Sequence, residues 1–123
     1  MNSFKELEVW KKGRELRVFV FHLSKTFPQE EKYGLTSQIK RSSRSITNNI
    51  AEGFGRFHFQ ENIQFCRQAR GSLTETLDHM LIAYDEQIVS EDILTEFRVL
   101  YENCLKLLNG YISYLVKAKE NRH

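Results

Sequence analysis

The sequence predicts an all-α fold, an antiparallel up-down four-helix bundle that forms one domain over residues 1–123. The chain has 123 residues, which is the size of a single ordinary domain. It contains one proline and six glycines, too few for an all-β sandwich, which needs turn residues roughly every 8–12 positions. Apolar residues instead recur at spacings of three and four, as in helices with one buried face. This pattern predicts helices at approximately 3–26, 35–54, 59–86 and 90–119.

The first predicted helix begins at Ser3-x-x-Glu6, a capping-box pattern that would satisfy free amides at a helix start. It ends before Pro28, the only proline, because a residue that precedes proline is disfavoured in α geometry. The apolar seam between these ends consists of Val9, Gly13, Leu16, Val20, Leu23 and Phe27.

The second predicted helix follows a short link, and its apolar seam runs from Leu35 to Ile50. Small residues beside this seam indicate that a neighbouring helix approaches closely. Gly53-Phe54-Gly55 marks the end of the helix, since glycine is favoured at a left-handed C-terminal cap. The seam consists of Leu35, Ile39, Ser42 or Ser43, Ile46 and Ile50, and the small residues are Ser42, Ser43, Ser45 and Ala51.

The third predicted helix keeps heptad phase from Ile63 to Tyr84, with Arg70 at one seam position. After a break at 87–90, Ser90 is a favourable N-cap for the fourth helix. The third seam consists of Ile63, Cys66, Leu73, Leu77, Met80 and Tyr84.

The fourth predicted helix carries two apolar stripes, which continue in phase through Asn109-Gly110, so this pair is interpreted as helix and not as a hairpin turn. So wide an apolar face indicates contact with another subunit, and we expect a homo-oligomer. One stripe consists of Ile93, Phe97, Leu100, Cys104, Leu107 and Tyr111, and the other of Leu94, Tyr101, Leu105, Leu108, Ile112 and Leu115.

Several function classes are excluded by the residue patterns. No apolar stretch is long enough for a transmembrane helix, and Lys5 and Glu6 stand where a signal peptide would be apolar. A cytoplasmic protein without a membrane partner is therefore expected. Cys66 and Cys104 are interpreted as reduced core thiols. We expect no catalytic residue, metal or cofactor, because there is no phosphate-binding loop and His22, His58, His79 and His123 are scattered.

The modest net charge of +2 conceals a polarised distribution. Residues 1–70 carry 13 basic and 7 acidic side chains, a balance of +6, whereas residues 71–123 carry 5 and 9, a balance of −4. Arginine dominates the basic residues between 40 and 70, and its planar guanidinium suits phosphate recognition. The candidate nucleic-acid-binding residues are Lys40, Arg41, Arg44, Arg56, Arg67 and Arg70.

A second interpretation of these charges stays open. Neighbouring helices or subunits of opposite charge could neutralise one another, or the charges could be ordinary solvated faces. A polar stripe along the second helix has two interpretations as well, because it could fix helix register or oligomeric state, or it could hold a ligand. The stripe consists of Gln38, Arg41, Ser45, Asn48, Glu52 and Arg56, with Asn49 beside it.

Short motifs resemble a bacterial four-helix-bundle family whose genes lie within intervening sequences of 23S ribosomal RNA genes, the S23-type ribosomal proteins. The motifs are Phe4-x-x-Leu-x-Val-Trp, Phe27-Pro28, Tyr33-Gly34-Leu35, Asn49-Ile50-Ala51-Glu52-Gly53 and Gly71-Ser72-Leu73. The resemblance implies a ring-like homopentamer, similar to accessory variability proteins of diversity-generating retroelements, which bind reverse transcriptase and nucleic acid. The chain departs from the family pattern at His58, where a serine N-cap is usual, and at Asn62, where an aromatic is common.

Together these observations predict a non-enzymatic, RNA-associated binding module that acts as an oligomer with a basic surface. Its expected partners are RNA or another nucleic acid, and further copies of itself. The alternative is an oligomeric protein-interaction scaffold with a protein partner and no direct contact to nucleic acid.

Overall fold

A computed structural model describes residues 3–122, and within them the fold is all-helical with four α-helices and no strand. The helices are α1 (Glu8–Ser24), α2 (Leu35–Gly55), α3 (Phe59–Asp85) and α4 (Glu91–Glu120). Single 3₁₀ turns, Phe4–Glu6 and Gln29–Glu31, precede α1 and α2. Met1, Asn2 and His123, which belong to the predicted domain, lie outside the described residues.

The helices form a bundle in which α1 packs against α2, α2 against α3, α3 against α4, and α4 against α1. The predicted seams face the shared core, and Leu16, Ile39, Leu73 and Phe97 have no exposed surface. Full burial of such a side chain contributes about 1.5–3 kcal/mol each, so the four seams dominate the stability of the bundle. Tyr84, predicted as the last member of the third seam, is instead 39% exposed at the end of α3. No helix among residues 3–122 is both long enough and apolar enough to cross a membrane.

The start of α1 differs from the prediction. Ser3 does not cap α1; its Oγ accepts a hydrogen bond from the Lys5 amide at 3.2 Å within the 3₁₀ turn. Leu7 is extended, with φ −69° and ψ 126°, and α1 begins at Glu8. The extended residue allows Leu7 to be buried and the Phe4 ring to pack edge-on against Trp10, with centroids 5.3 Å apart. The burial of Leu7 and the packing of Phe4 on Trp10 stabilise this start of the helix more than a Ser3 cap on α1 would.

The end of α2 also differs from the prediction. Gly53 and Gly55 are not left-handed, and the left-handed residue beyond the helix is Phe57, with φ 58°. Gly53 instead permits close approach of α3, since a Cβ there would lie 2.7 Å from Asn62 Oδ1 and 2.9 Å from Phe65 Cβ. The glycine is thus required by a helix–helix contact.

Hydroxyl groups pair across the α2–α3 interface, where small residues predicted a close approach. Thr76 Oγ1 donates to Ser42 Oγ at 2.8 Å, and Ser72 Oγ donates to Ser45 Oγ at 2.9 Å. These pairs also show that the two helices run antiparallel, because the later residue on α3 faces the earlier residue on α2.

The prediction for α4 is confirmed at its start and at Asn109–Gly110. Ser90 Oγ accepts a hydrogen bond from the Ile93 amide at 3.2 Å, and the helix continues through Asn109 and Gly110. Both predicted stripes contribute to the core, while several of their members are only half-buried. The buried members are Phe97, Tyr101, Cys104, Leu108, Ile112 and Leu115, and the half-buried ones are Ile93, Leu94, Leu100, Leu105, Leu107 and Tyr111.

Candidate nucleic-acid interface

Three of the six predicted nucleic-acid-binding residues lie together on α2. Lys40, Arg41 and Arg44 line one concave surface, at one end of which stand Lys32 and Tyr33 from the link before α2. A second hollow between α1 and α2 adjoins the first, because Arg44 and Asn48 line both. We call this combined surface the basic groove, and its principal side chains are Arg17, Phe21, Lys32, Tyr33, Lys40, Arg41, Arg44 and Asn48.

No carboxylate lines the basic groove among the residues that the structure describes. In the same part of the chain, no carboxylate oxygen lies within 4.0 Å of the side-chain nitrogens of Lys40, Arg41 or Arg44. Two described lysines are paired, Lys11 with Glu8 at 3.4 Å and Lys12 with Glu15 at 3.3 Å. The groove presents several positive charges that no acid among residues 3–122 neutralises at contact distance.

Aromatic rings alternate with the cations of the basic groove. Tyr33 is 89% exposed, and the Lys32 ammonium lies 5.4 Å from the centre of its ring. At the other hollow Phe21 is partly exposed, with the Lys25 ammonium 4.5 Å from its ring centre. Cations suit phosphates and exposed rings suit bases, so this combination is typical of surfaces that bind nucleic acid.

The other three predicted binding residues do not join the groove. Arg56 pairs with Glu52 at 3.5 Å and lies over the Phe65 ring, 5.2 Å from its centre. Arg70 donates to Asn109 Oδ1 at 2.8 Å and so connects α3 to α4. Arg67 lines a separate hollow between α3 and α4. The basic residues of segment 40–70 are thus distributed over three surfaces.

The polar stripe on α2 divides between structure and surface. Ser45 accepts from Ser72, and Asn49 Nδ2 donates to Ser45 O at 2.9 Å and to its Oγ at 3.0 Å. Ser45 thus links α2 to α3, whereas the hydrogen bonds of Asn49 stay within α2. Gln38 and Arg41 are exposed, and Arg41 and Asn48 line the basic groove.

Both cysteines are buried, and burial raises the pKa of the Cys66 and Cys104 thiols to about 12. A thiol with so high a pKa stays protonated at neutral pH and is a poor nucleophile. His79 Nε2 lies 3.2 Å from Glu75 Oε2, but within residues 3–122 no three His, Cys, Asp or Glu side chains are grouped as metal ligands.

Sequence reasoning missed four residues of the basic groove: Arg17, Phe21, Lys32 and Tyr33. Arg17 follows the buried Leu16 on α1 and its Nη1 donates to Thr47 Oγ1 of α2 at 3.4 Å. Its place beside an apolar seam was a usable signal, since such positions face the next helix. Lys32 and Tyr33 lie in the link before α2, where there is no helical repeat from which the direction of a side chain could be predicted.

The fold and this surface define a small helical bundle with an unneutralised cationic groove. A family model described as 23S rRNA-intervening sequence protein matches residues 5–110, so the chain belongs to that family. The family resemblance predicted from short motifs is thereby confirmed.

A solved structure supports the fold. A protein of unknown function from the S23 ribosomal protein family of Bacteroides thetaiotaomicron superimposes with a TM-score of 0.79 at 24% sequence identity. The match covers 85% of this chain and 95% of that one. A comparison with curated proteins gave no match.

Proposed function

We propose that this chain is a non-enzymatic RNA-binding module that contacts RNA phosphates through the basic groove. The observation that carries the proposal is the set of cations in the groove, Lys40, Arg41 and Arg44, with no carboxylate within 4.0 Å of them among the described residues. Cations gathered on one face without a neighbouring carboxylate favour an anionic ligand electrostatically. The family name, which refers to a 23S rRNA intervening sequence, agrees with RNA as that anion.

Spacing on α2 supports a polyanionic partner. Arg41 and Arg44 are three residues apart and therefore neighbours on one face of the helix. Two guanidinium groups side by side can contact successive phosphates, and each phosphate contact releases counterions. Affinity that arises in this way falls steeply with salt and depends little on base sequence.

The test is fluorescence anisotropy of a labelled, structured RNA titrated with the full chain at several salt concentrations. We expect Arg41→Gln with Arg44→Gln to weaken binding at least tenfold at low salt. The slope of log K against log salt should shrink by roughly 1.4–1.8, which corresponds to two lost phosphate contacts. Both side chains are exposed, so the fold is retained.

The matched control removes two positive charges elsewhere. Arg98→Gln with Lys106→Gln makes the same change in net charge on exposed positions of α4. We expect this control to keep most of the affinity. Equal losses of affinity for both double variants would show that only net charge matters and would contradict binding at the groove. RNA binding that is absent or insensitive to salt would contradict the proposed function as a whole.

We further propose that the module acts as a homo-oligomer, a ring-like pentamer by its family resemblance. Apolar side chains at the surface of α4 support self-association, since Val99 is 57% exposed and Leu100 beside it is only half-buried. The same observation favours the alternative, an oligomeric scaffold whose partner is a protein. In that case the arginine substitutions would change the mass of the assembly or its stability and leave RNA affinity unaltered.

A further inference from the structure

A second surface, at the opposite end of α2, combines aromatic rings from three helices. A cleft there lies between the α2–α3 turn and the C-terminal part of α4, and has a volume of about 230 Å³. For comparison, an apolar cavity of roughly 150 Å³ in another protein binds benzene. We call it the aromatic cleft, and it is lined chiefly by Phe54, Phe57, Phe59, Asn62, Tyr111 and Tyr114.

The rings of the aromatic cleft are exposed to an extent that is unusual for a bundle. Phe57 is 83% exposed and Tyr114 is 63% exposed. Phe57 also has φ 58°, a left-handed conformation that bulky residues seldom adopt. Neither Phe57 nor Tyr114 is needed to fill the core of the bundle, because most of each side chain faces solvent.

Hydrogen bonding holds the inner wall of the cleft in place. Asn62 Nδ2 donates to the Tyr111 hydroxyl at 3.1 Å, and Asn62 Oδ1 accepts from Cys66 Sγ at 3.4 Å. The Tyr114 ring lies nearly parallel to Tyr111, at an interplanar angle of 12° with centroids 6.3 Å apart. The two tyrosines therefore form a fixed platform, and the open face of Tyr114 can receive another planar ring.

Basic side chains lie beside the aromatic cleft, at the start of α3 and the end of α4. Residues 52–67 and 111–122 carry five basic and three acidic side chains, a balance of +2, although Arg56 pairs with Glu52 and Arg67 lines a separate hollow. The Arg122 guanidinium lies 5.6 Å from the centre of the Phe59 ring, and Lys119 donates to Gln60 nearby. Along the chain, Phe54-Gly55-Arg56-Phe57-His58-Phe59 alternates rings with basic or small residues.

We propose that the aromatic cleft binds an unpaired base of single-stranded RNA, with the base stacked between Phe57 and Tyr114 and its phosphate near Lys119 and Arg122. Exposed rings with cations beside them are how proteins hold single strands, because every base has a face that stacks. This inference rests on the proposed function and adds a ligand class to it. The basic groove contacts phosphates of paired or unpaired RNA, whereas the cleft selects unpaired bases.

The experiment compares two fluorescein-labelled RNAs, an unstructured oligoadenosine and a fully paired duplex, in titrations with the full chain. Phe57→Ala with Tyr114→Ala should weaken binding of the single strand roughly tenfold or more and change duplex affinity less than twofold. Arg41→Gln with Arg44→Gln should weaken both. Phe57→Tyr keeps a ring at this position and should bind the single strand as tightly as the wild type does. Tyr84→Ala removes a partly exposed ring elsewhere, at the end of α3, and is the neutral control.

The outcomes separate this inference from the function on which it rests. Unchanged single-strand affinity in the Phe57 and Tyr114 variant overturns the cleft, while loss through Arg41 and Arg44 still supports the groove. If the wild-type chain binds neither RNA, the proposed function fails and the cleft fails with it. A lower assembly mass in light scattering with RNA affinity unchanged would identify the cleft as an interface between copies and overturn its RNA role.

Discussion

Cys66 and Cys104 lie on adjacent helices with no exposed surface, and burial raises the pKa of each thiol from 9.0 to about 12. The cause is desolvation, which penalises the thiolate in an apolar surrounding. In the unfolded chain the same thiols ionise near their ordinary value. The folded state consequently holds more protons than the unfolded state between these two pKa values.

Each thiol has a higher pKa in the folded state than in the unfolded state. The stability that its protonated form contributes to the fold is therefore complete below pH 9 and is lost as pH rises toward 12. We expect each cysteine to lower the free energy of unfolding by up to about 1.4 kcal/mol per pH unit within this window. Urea unfolding of Cys104→Ala at several pH values should show a shallower decline than the wild type. Equal declines in the two proteins would mean that Cys104 ionises as easily folded as unfolded.

At the scale of elements, α2 and α3 form the tightest pair in the bundle, and Gly53 is the residue that their contact requires. A methyl group there would meet Asn62 and Phe65 at under 3.0 Å. In contrast, a Cβ at Gly110 in α4 would meet no atom within 4 Å. Alanine substitutions at these two glycines therefore distinguish the effect of helix packing on stability from the effect of backbone entropy.

We expect Gly53→Ala to destabilise the protein by about 1–3 kcal/mol, because α3 must move to accommodate the added methyl. Gly110→Ala should stabilise it by about 0.5–1 kcal/mol, since alanine is the better helix former in open space. Chemical unfolding of both variants beside the wild type measures the two changes. Similar values for both would show that α2 and α3 separate at little cost.

The helices were more predictable than their ends. Periodicity identified Leu16, Ile39 and Leu73 as core because one buried face repeats with the period of the helix. The capping box at Ser3 and the left-handed glycine at 53–55 were wrong for a common reason. Both are local preferences of about 1 kcal/mol, and burial of Leu7 or close packing of α3 exceeds them.

At the scale of the whole molecule, opposite charges occupy different surfaces. Eight acidic residues and one basic residue lie between positions 75 and 102, and all eight acids are exposed. None of them lines the basic groove on α1 and α2. The acids of this segment therefore do not neutralise the basic groove within one chain, and the candidates for its countercharge beyond solvent ions are RNA and another subunit.

Assembly mass distinguishes these two sources. We expect light scattering to give a multiple of the 14.6 kDa chain mass for the wild type. Arg41→Gln with Arg44→Gln should give the same mass, because on the proposed function the groove contacts RNA and not another copy. Dissociation of this variant into smaller species would show instead that acids of a neighbouring copy occupy the groove.

The candidate site was only partly predictable from the sequence. A helical repeat fixes the angle of each side chain about its own helix, and Lys40, Arg41 and Arg44 lie along one surface of α2. It contains no information on which neighbour lies beside that face, so Arg67 and Arg70 were placed with them although they face α4. Tyr33, in a link without periodicity, could be located only in three dimensions.

If RNA occupies both the basic groove and the aromatic cleft, the hydroxyl pairs between α2 and α3 fix the length that it must span. A slip of one turn, about 5.4 Å, would break the Ser42–Thr76 and Ser45–Ser72 bonds together, so the axial position of α3 on α2 is fixed. Arg41 and Gly55 are 14 positions apart, or roughly 21 Å along the axis at about 1.5 Å per residue. An oligonucleotide too short to span this distance can occupy the groove or the cleft, but not both.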